Sequence, residues 1–199
     1  MNVQQMSDLE LLAVVIGKDG ARTFRGKRLA EVLGFTKPRQ ATFGEEVAPY
    51  VVHPALAAAK ELFTRCLQDG LQENGVYFSN PSATKGFLCS RLGDLEHESF
   101  WCLWLDSRSR LIAAEEIFRG SIAEARVYPR EIVKRALSHN ALSVIFAHNH
   151  PSGCATQSTT DEVLTQTLKQ ALALVEVRVL DHIVVAGSNA VSFAEKGLL

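Results

Sequence analysis

Residues 147–163 read AHNHPSGCATQSTTDEV, and this stretch joins the end of a buried strand to the start of a long helix. The preceding residues, ALSVIFAH (141–148), are short and nearly all apolar, as a central strand covered on both faces must be. The following residues, TTDEVLTQTLKQALALV (159–175), carry the composition of a long helix. His148 and His150 stand two apart at the strand end, a spacing that puts both imidazoles on one face and Asn149 on the other. Pro151, Ser152 and Gly153 then end the strand in a turn. Asp161 follows in the first turn of the helix, after a loop long enough to bring that helix end back over the strand tip. Two histidines and one carboxylate leave the fourth tetrahedral position of a zinc ion open for water, as catalytic zinc requires. The same residues also suit plain structural chemistry. Ser158 and Asp161 have capping-box spacing, and Thr159 and Glu162 make an equally good box one residue on. Spacing alone leaves a metal site and an ordinary turn with a helix cap both standing.

Working outward, ESFWCLWLD (98–106) and LIAAEEIFRG (111–120) are dense in aromatic and branched residues and read as strands joined by a tight turn. SIAEARVYP (121–129) reads as a further strand. PREIVKRALSHN (129–140) is a helix with Pro129 at its start and an apolar stripe of Ile132, Val133, Ala136 and Leu137. VRVLDHIVVAG (177–187) is another strand, and AVSFAE (190–195) a short edge strand. A helix over 82–92 opens this part of the chain. The expected class is α/β, a sheet covered by helices on two sides. The first 67 residues read as helical instead. LELLAVVIG follows Ser7, with Asp8 and Glu10 placed to face the positive end of the helix dipole. GKRLAEVLGF (26–35) is a short second piece closed by Gly34, and HPALAAAKELFTRCLQDG (53–70) a third, ended by Gly70. Between them, KPRQATFGEEVAP (37–49) is expected to be a loop with a short helical turn. These patterns divide the chain into a helical domain, 1–75, and an α/β domain, 76–199.

The whole chain sets outer bounds. Its 199 residues suffice for two compact domains. The first 81 residues hold nine basic and nine acidic groups and the rest twelve and thirteen, so neither half is a general polyanion binder. No apolar run is long enough for a membrane span, and Asp8 and Glu10 interrupt what would be a leader, so the cytoplasm is the expected location. The four cysteines form no CxxC and suggest no disulfide scaffold.

Hydrolysis with zinc-activated water needs a base and an oxyanion donor. Glu98, Glu115 and Glu116 are the candidate bases, Glu98 standing at the start of the first strand. The Ser158 hydroxyl, close to Asp161 in sequence, is the candidate oxyanion donor.

Taken together, a distant Glu, His148-x-His150, Ser158 and Asp161 resemble the JAMM (MPN-plus) metalloprotease motif. The closer resemblance is to the RadC family. Its hallmark HNHPSG stands at 148–153, framed by HESFWCLWLDSRSRLI, FRGSI, VYPREIVKRAL, VRVLDHIVVAG and SFAEKGLL over about 82–199. The resemblance implies a cytidine-deaminase-like three-layer α/β fold carrying one zinc ion, with His148, His150 and Asp161 as ligands. It implies Glu98 as general base, Ser158 in the oxyanion role, and a peptide or isopeptide amide in a protein or peptide partner as substrate. The alternative it carries is a DNA-associated repair or recombination factor. MSDLELLAVVIG and VVHPALAAAKELFTR resemble the family's opening and its helix-hairpin-helix-like segment. There the glycine hairpin is replaced by Val51-Val52-His53, which removes the freedom that lets backbone N–H groups approach a phosphate. A degenerate hairpin domain with weak support for DNA binding is the expectation. Cys154 departs from the family's usual Asp and is either a competing ligand or an inert neighbour; His182 lines the cleft or is a satisfied core histidine.

Overall fold

The computed structural model describes residues 3–35, 52–74, 81–120 and 127–199. The expected loop at 37–49 lies outside these, as do residues 121–126 of the strand expected at 121–129; of its remainder, Val127 and Tyr128 are not strand and Pro129 begins a helix. The chain divides into two compact units, Met1–Thr64 and Arg65–Leu199.

Unit one is helical. A short 3-10 turn (Val3–Gln5) precedes α1 (Asp8–Arg22), α2 (Leu29–Val32) and the first part of α3 (Pro54–Asn74). Ser7 caps α1 as its sequence predicts: its side chain takes the Glu10 N–H while Glu10 reaches back to the Ser7 N–H at 2.8 Å. Gly17, at φ 79° and ψ 162°, breaks α1 internally, a backbone state that only glycine enters freely. Leu12, Ala21, Val32 and Leu56 form the buried core.

The division between units falls inside α3, about ten residues before the expected boundary at 75. Gly70 does not end this helix, which runs on to Asn74. Leu71, only 2% exposed, joins the core of the second unit. Burying a leucine contributes about 1.5–3 kcal/mol, which exceeds the ~1 kcal/mol helix penalty of a glycine.

Unit two holds a five-stranded sheet in the order β2-β1-β3-β4-β5, built from β1 (Ser99–Leu105), β2 (Leu111–Arg119), β3 (Ser143–Asn149), β4 (Arg178–Ala186) and β5 (Asn189–Ser192). The helices are α4 (Pro81–Leu92), α5 (Pro129–Ser138) and α6 (Thr159–Ala173). Every residue of β3, the central strand, is buried. It pairs antiparallel with β1 and parallel with β4, with α6 as the crossover. Strand alternation sends Leu103, Leu105, Ile145 and Ala147 to one face, against α4. Phe100, Cys102, Trp104, Val144 and Phe146 go to the other, against α5 and α6. The result is a mixed α/β unit of three layers preceded by helices, as expected. The α5 stripe is narrower than its sequence suggests, because Ile132 and Ala136 are fully buried while Leu137 is 57% exposed.

Candidate metal centre

The site forms where β3 ends and α6 begins. His148 lies on the α6 side of the sheet, continuing the face set by Val144 and Phe146, and is buried. One residue past the strand, His150 still follows the parallel ladder, its N–H donating to the Val185 carbonyl at 2.8 Å. The two imidazoles converge, with Nε2 atoms 3.0 Å apart. Gly153, at φ +82°, closes the turn by donating its N–H to the His150 carbonyl. A side chain there would meet no neighbour, so the requirement for glycine is conformational.

Asp161 comes from the third position of α6. Ser158 caps that helix: its N–H donates to Asp161 Oδ2 at 2.7 Å, its hydroxyl donates to the same oxygen at 2.8 Å, and it accepts the Asp161 N–H at 3.1 Å. The Ser158–Asp161 box therefore forms in preference to Thr159–Glu162. Cap and ligand geometry coexist, because Oδ1 stands 3.3 Å from His148 Nε2 while Oδ2 serves the box. Burial pushes the Asp161 carboxyl up. A protonated His148 beside it and the two Ser158 donors outweigh that and hold it well below the usual carboxylate range. One ligand atom from each of His148, His150 and Asp161 lies within 4.8 Å of the others.

The donor chemistry fits a metal ion. His150 Nδ1 lies 2.8 Å from the Cys154 carbonyl, which can only accept, so that nitrogen carries the proton and the neutral ring turns its Nε2 lone pair inward. The lone pair faces a second imidazole nitrogen and an ionised carboxylate, an arrangement that calls for a cation.

Cys154 contributes its carbonyl to this site, while its exposed thiol donates to Thr156 Oγ1 and lies outside the ligand group. When the sulfur is ionised, the Thr156 hydroxyl and N–H donate to it, which holds that thiol below its ordinary pKa.

Strand register sorts the three candidate bases. Phe100 stands opposite His148 on β1 and β3, and the register runs without a break down to Leu105 opposite Ser143. The pairing ends at Phe100 and His148, and β1 begins at Ser99; counted by alternation from Phe100, the expected place of Glu98 is the histidine face. Glu116 is opposite Trp101, on the other face, and is held by Ser99 and Arg119. Glu115 shares the histidine face but sits deeper, opposite Cys102, where His139, Arg135 and Trp104 engage it.

Asn149 brackets Glu98. Its Oδ1 accepts the Ser99 N–H at 2.8 Å and its Nδ2 donates to the His97 carbonyl at 3.0 Å, while Gly120 N–H donates to the Glu98 carbonyl. Asn149→Ala is expected to destabilise this unit, by about 1–3 kcal/mol for each buried group left unpaired. Urea unfolding checks this, and an unchanged midpoint would show that the clamp is replaceable.

The RadC-like JAB domain model matches residues 78–198 of this chain. The chain belongs to the RadC family. The UPF0758 protein of Polaromonas sp. (strain JS666 / ATCC BAA-500) is 48% identical over 203 residues, covering 98% of this chain and 90% of the relative. That of Nitrosococcus oceani is 44% identical at the same coverages. One from Janthinobacterium sp. (strain Marseille) is 56% identical over 144 residues, covering 72% of this chain and 64% of the relative. As a RadC family member the chain carries a JAB-type domain in which a buried His-His-Asp group is assembled. No described helix is long and apolar enough to cross a membrane. In the helical unit, the His53 ring accepts the Ala55 N–H at 3.2 Å, so one donor at the start of α3 is already taken.

Proposed function

We propose that the second unit hydrolyses a peptide or isopeptide amide in a protein or peptide partner, with one zinc ion held by His148, His150 and Asp161. The observation that carries this is the convergence of those three side chains, with the outer nitrogen of His150 satisfied by the Cys154 carbonyl. A zinc ion held by three protein ligands supplies Lewis acidity, lowering the pKa of water and polarising a carbonyl.

The chain's own residues supply the rest. Glu98, immediately before β1 and two residues from Phe100, takes a proton from the attacking water and returns it to the leaving amine. Gly120 holds its carbonyl, and Asn149 holds the backbone of its two neighbours, His97 and Ser99. Ser158 steadies the oxyanion. Its hydroxyl proton rests on Asp161 Oδ2, so donation to substrate requires the hydroxyl to rotate; the two N–H contacts of the box keep the helix capped meanwhile. The test is zinc content of the purified chain together with a screen of peptide and isopeptide libraries. One zinc per chain with cleavage of one bond class is expected. Absence of both zinc and cleavage would overturn the proposal.

A further inference from the structure

His182 and Thr165 lie beneath the site and are fully buried. His182 comes from β4, opposite Phe146 on β3, and Thr165 from the second turn of α6. His148 Nδ1 is 2.9 Å from His182 Nε2, and His182 Nδ1 is 2.6 Å from Thr165 Oγ1. Thr165 Oγ1 is also 2.6 Å from the carbonyl of Asp161, one turn back along α6.

With both rings neutral, counting protons along this row leaves one solution. A carbonyl can only accept, so the single Thr165 hydroxyl proton goes to Asp161. The Thr165 oxygen then offers only lone pairs to His182, so His182 Nδ1 carries a proton and donates it. In the neutral His182 ring, Nε2 is then an acceptor. His148 must donate from Nδ1, and its Nε2 is left as a lone pair aimed at His150 and Asp161. We infer that Thr165 and His182 are positioning residues that fix the tautomer of His148, presenting its Nε2 to the metal. The Asp161 carbonyl at the end of the row ties two ligands together through one buried chain of hydrogen bonds. Phe100, Phe146 and Phe193 surround the His182 ring, with centroids 5.6, 5.9 and 4.8 Å away. These aromatic walls offer the ring no competing hydrogen-bond partner.

The inference rests on the zinc reading above, so it is tested with one readout that needs metal and one that does not. His182→Leu is expected to weaken zinc affinity about 10–100-fold, the range for partners that orient a ligand histidine. Thr165→Val, nearly isosteric and remote from the ligands' metal-facing atoms, is expected to weaken it in the same direction. Thr165→Ser keeps the hydroxyl and is expected to bind zinc as the parent does. Affinity is measured by competition with a chromophoric chelator on variants whose circular dichroism matches the parent. The second readout is the long-range 1H–15N spectrum of His148 in the metal-free chain at about pH 9, well above the ordinary histidine range. The parent is expected to show the proton on Nδ1, and Thr165→Val a mixture of both forms. A proton on Nε2 in the parent, or equal zinc affinity in parent, His182→Leu and Thr165→Val, would overturn the inference. If the parent binds no zinc, the zinc reading fails and the tautomer spectrum still decides this one.

Discussion

Asp161→Ala is expected to strip the chain of zinc and abolish hydrolysis while leaving the second unit folded. Asp161 has two tasks on two oxygens: Oδ2 closes the capping box with Ser158, and Oδ1 faces His148. Losing the box contributes about 1 kcal/mol of instability, which lowers the melting temperature by only a few degrees in a unit of this size. The α6 core contacts through Leu168 and Leu172 are untouched, and they hold the helix in place. Loss of the ligand is far more severe, because two neutral imidazoles remain and no anionic group balances the ion. Asp161→Asn separates the two tasks. An amide oxygen can still accept from Ser158, so the cap largely survives, but the charge is gone. Both variants are expected to be metal-free after dialysis, and the asparagine variant to melt closer to the parent. Metal analysis and calorimetry give the two readings independently. Stoichiometric zinc in Asp161→Ala would remove Asp161 from the ligand set.

The path from sequence to this site is uneven, for physical reasons. β3 was legible because Val144 to Ala147 form an unbroken apolar run inside seven consecutive buried residues, and a period of two fixes which histidines share a face. The capping box was legible because its partners are three residues apart. Its competition with Thr159–Glu162 was undecidable from spacing, since both satisfy the same local rule. The course of α3 past Gly70 was hidden, because a tertiary contact of Leu71 overrides a local stop signal. The Thr165–His182–His148 row was hidden as well. Its members lie on α6, β4 and β3, and only the packed sheet brings residues 17 and 34 positions apart within hydrogen-bond reach. Asn149 meets His97 and Ser99 across about 50 residues for the same reason. Its sequence position between two histidines advertises neither bond.

Glu98→Gln is expected to lower kcat by about two to four orders of magnitude, the usual share of a general base, with zinc content unchanged. Glutamine keeps the size of the side chain and removes its basicity. The backbone clamp through Asn149 and Gly120 does not involve the side chain, so the strand tip stays in place. The matched variants Glu115→Gln and Glu116→Gln make the experiment decisive. Arg119 bonds first, then the Ser99 hydroxyl and the Arg119 charge, hold the Glu116 carboxyl below its ordinary range despite partial burial, so it stays an anion tied to its neighbours. Its replacement is expected to affect stability rather than turnover. The sign of that effect follows from the direction of the shift. A carboxyl whose pKa is lowered by folding stabilises the fold above its unfolded value, near 4.5, and that contribution fades as pH falls through the folded one. Glu115 is committed to His139, Arg135 and Trp104, and its loss is expected to loosen the α5 side of the sheet without a specific fall in kcat. A large drop in kcat confined to Glu115→Gln would place the base on β2 and show that the chain entering β1 does not carry Glu98 to the reacting atoms. A drop confined to Glu98→Gln would leave β1 as the element that aims the base, and Asn149 as the residue that holds it there.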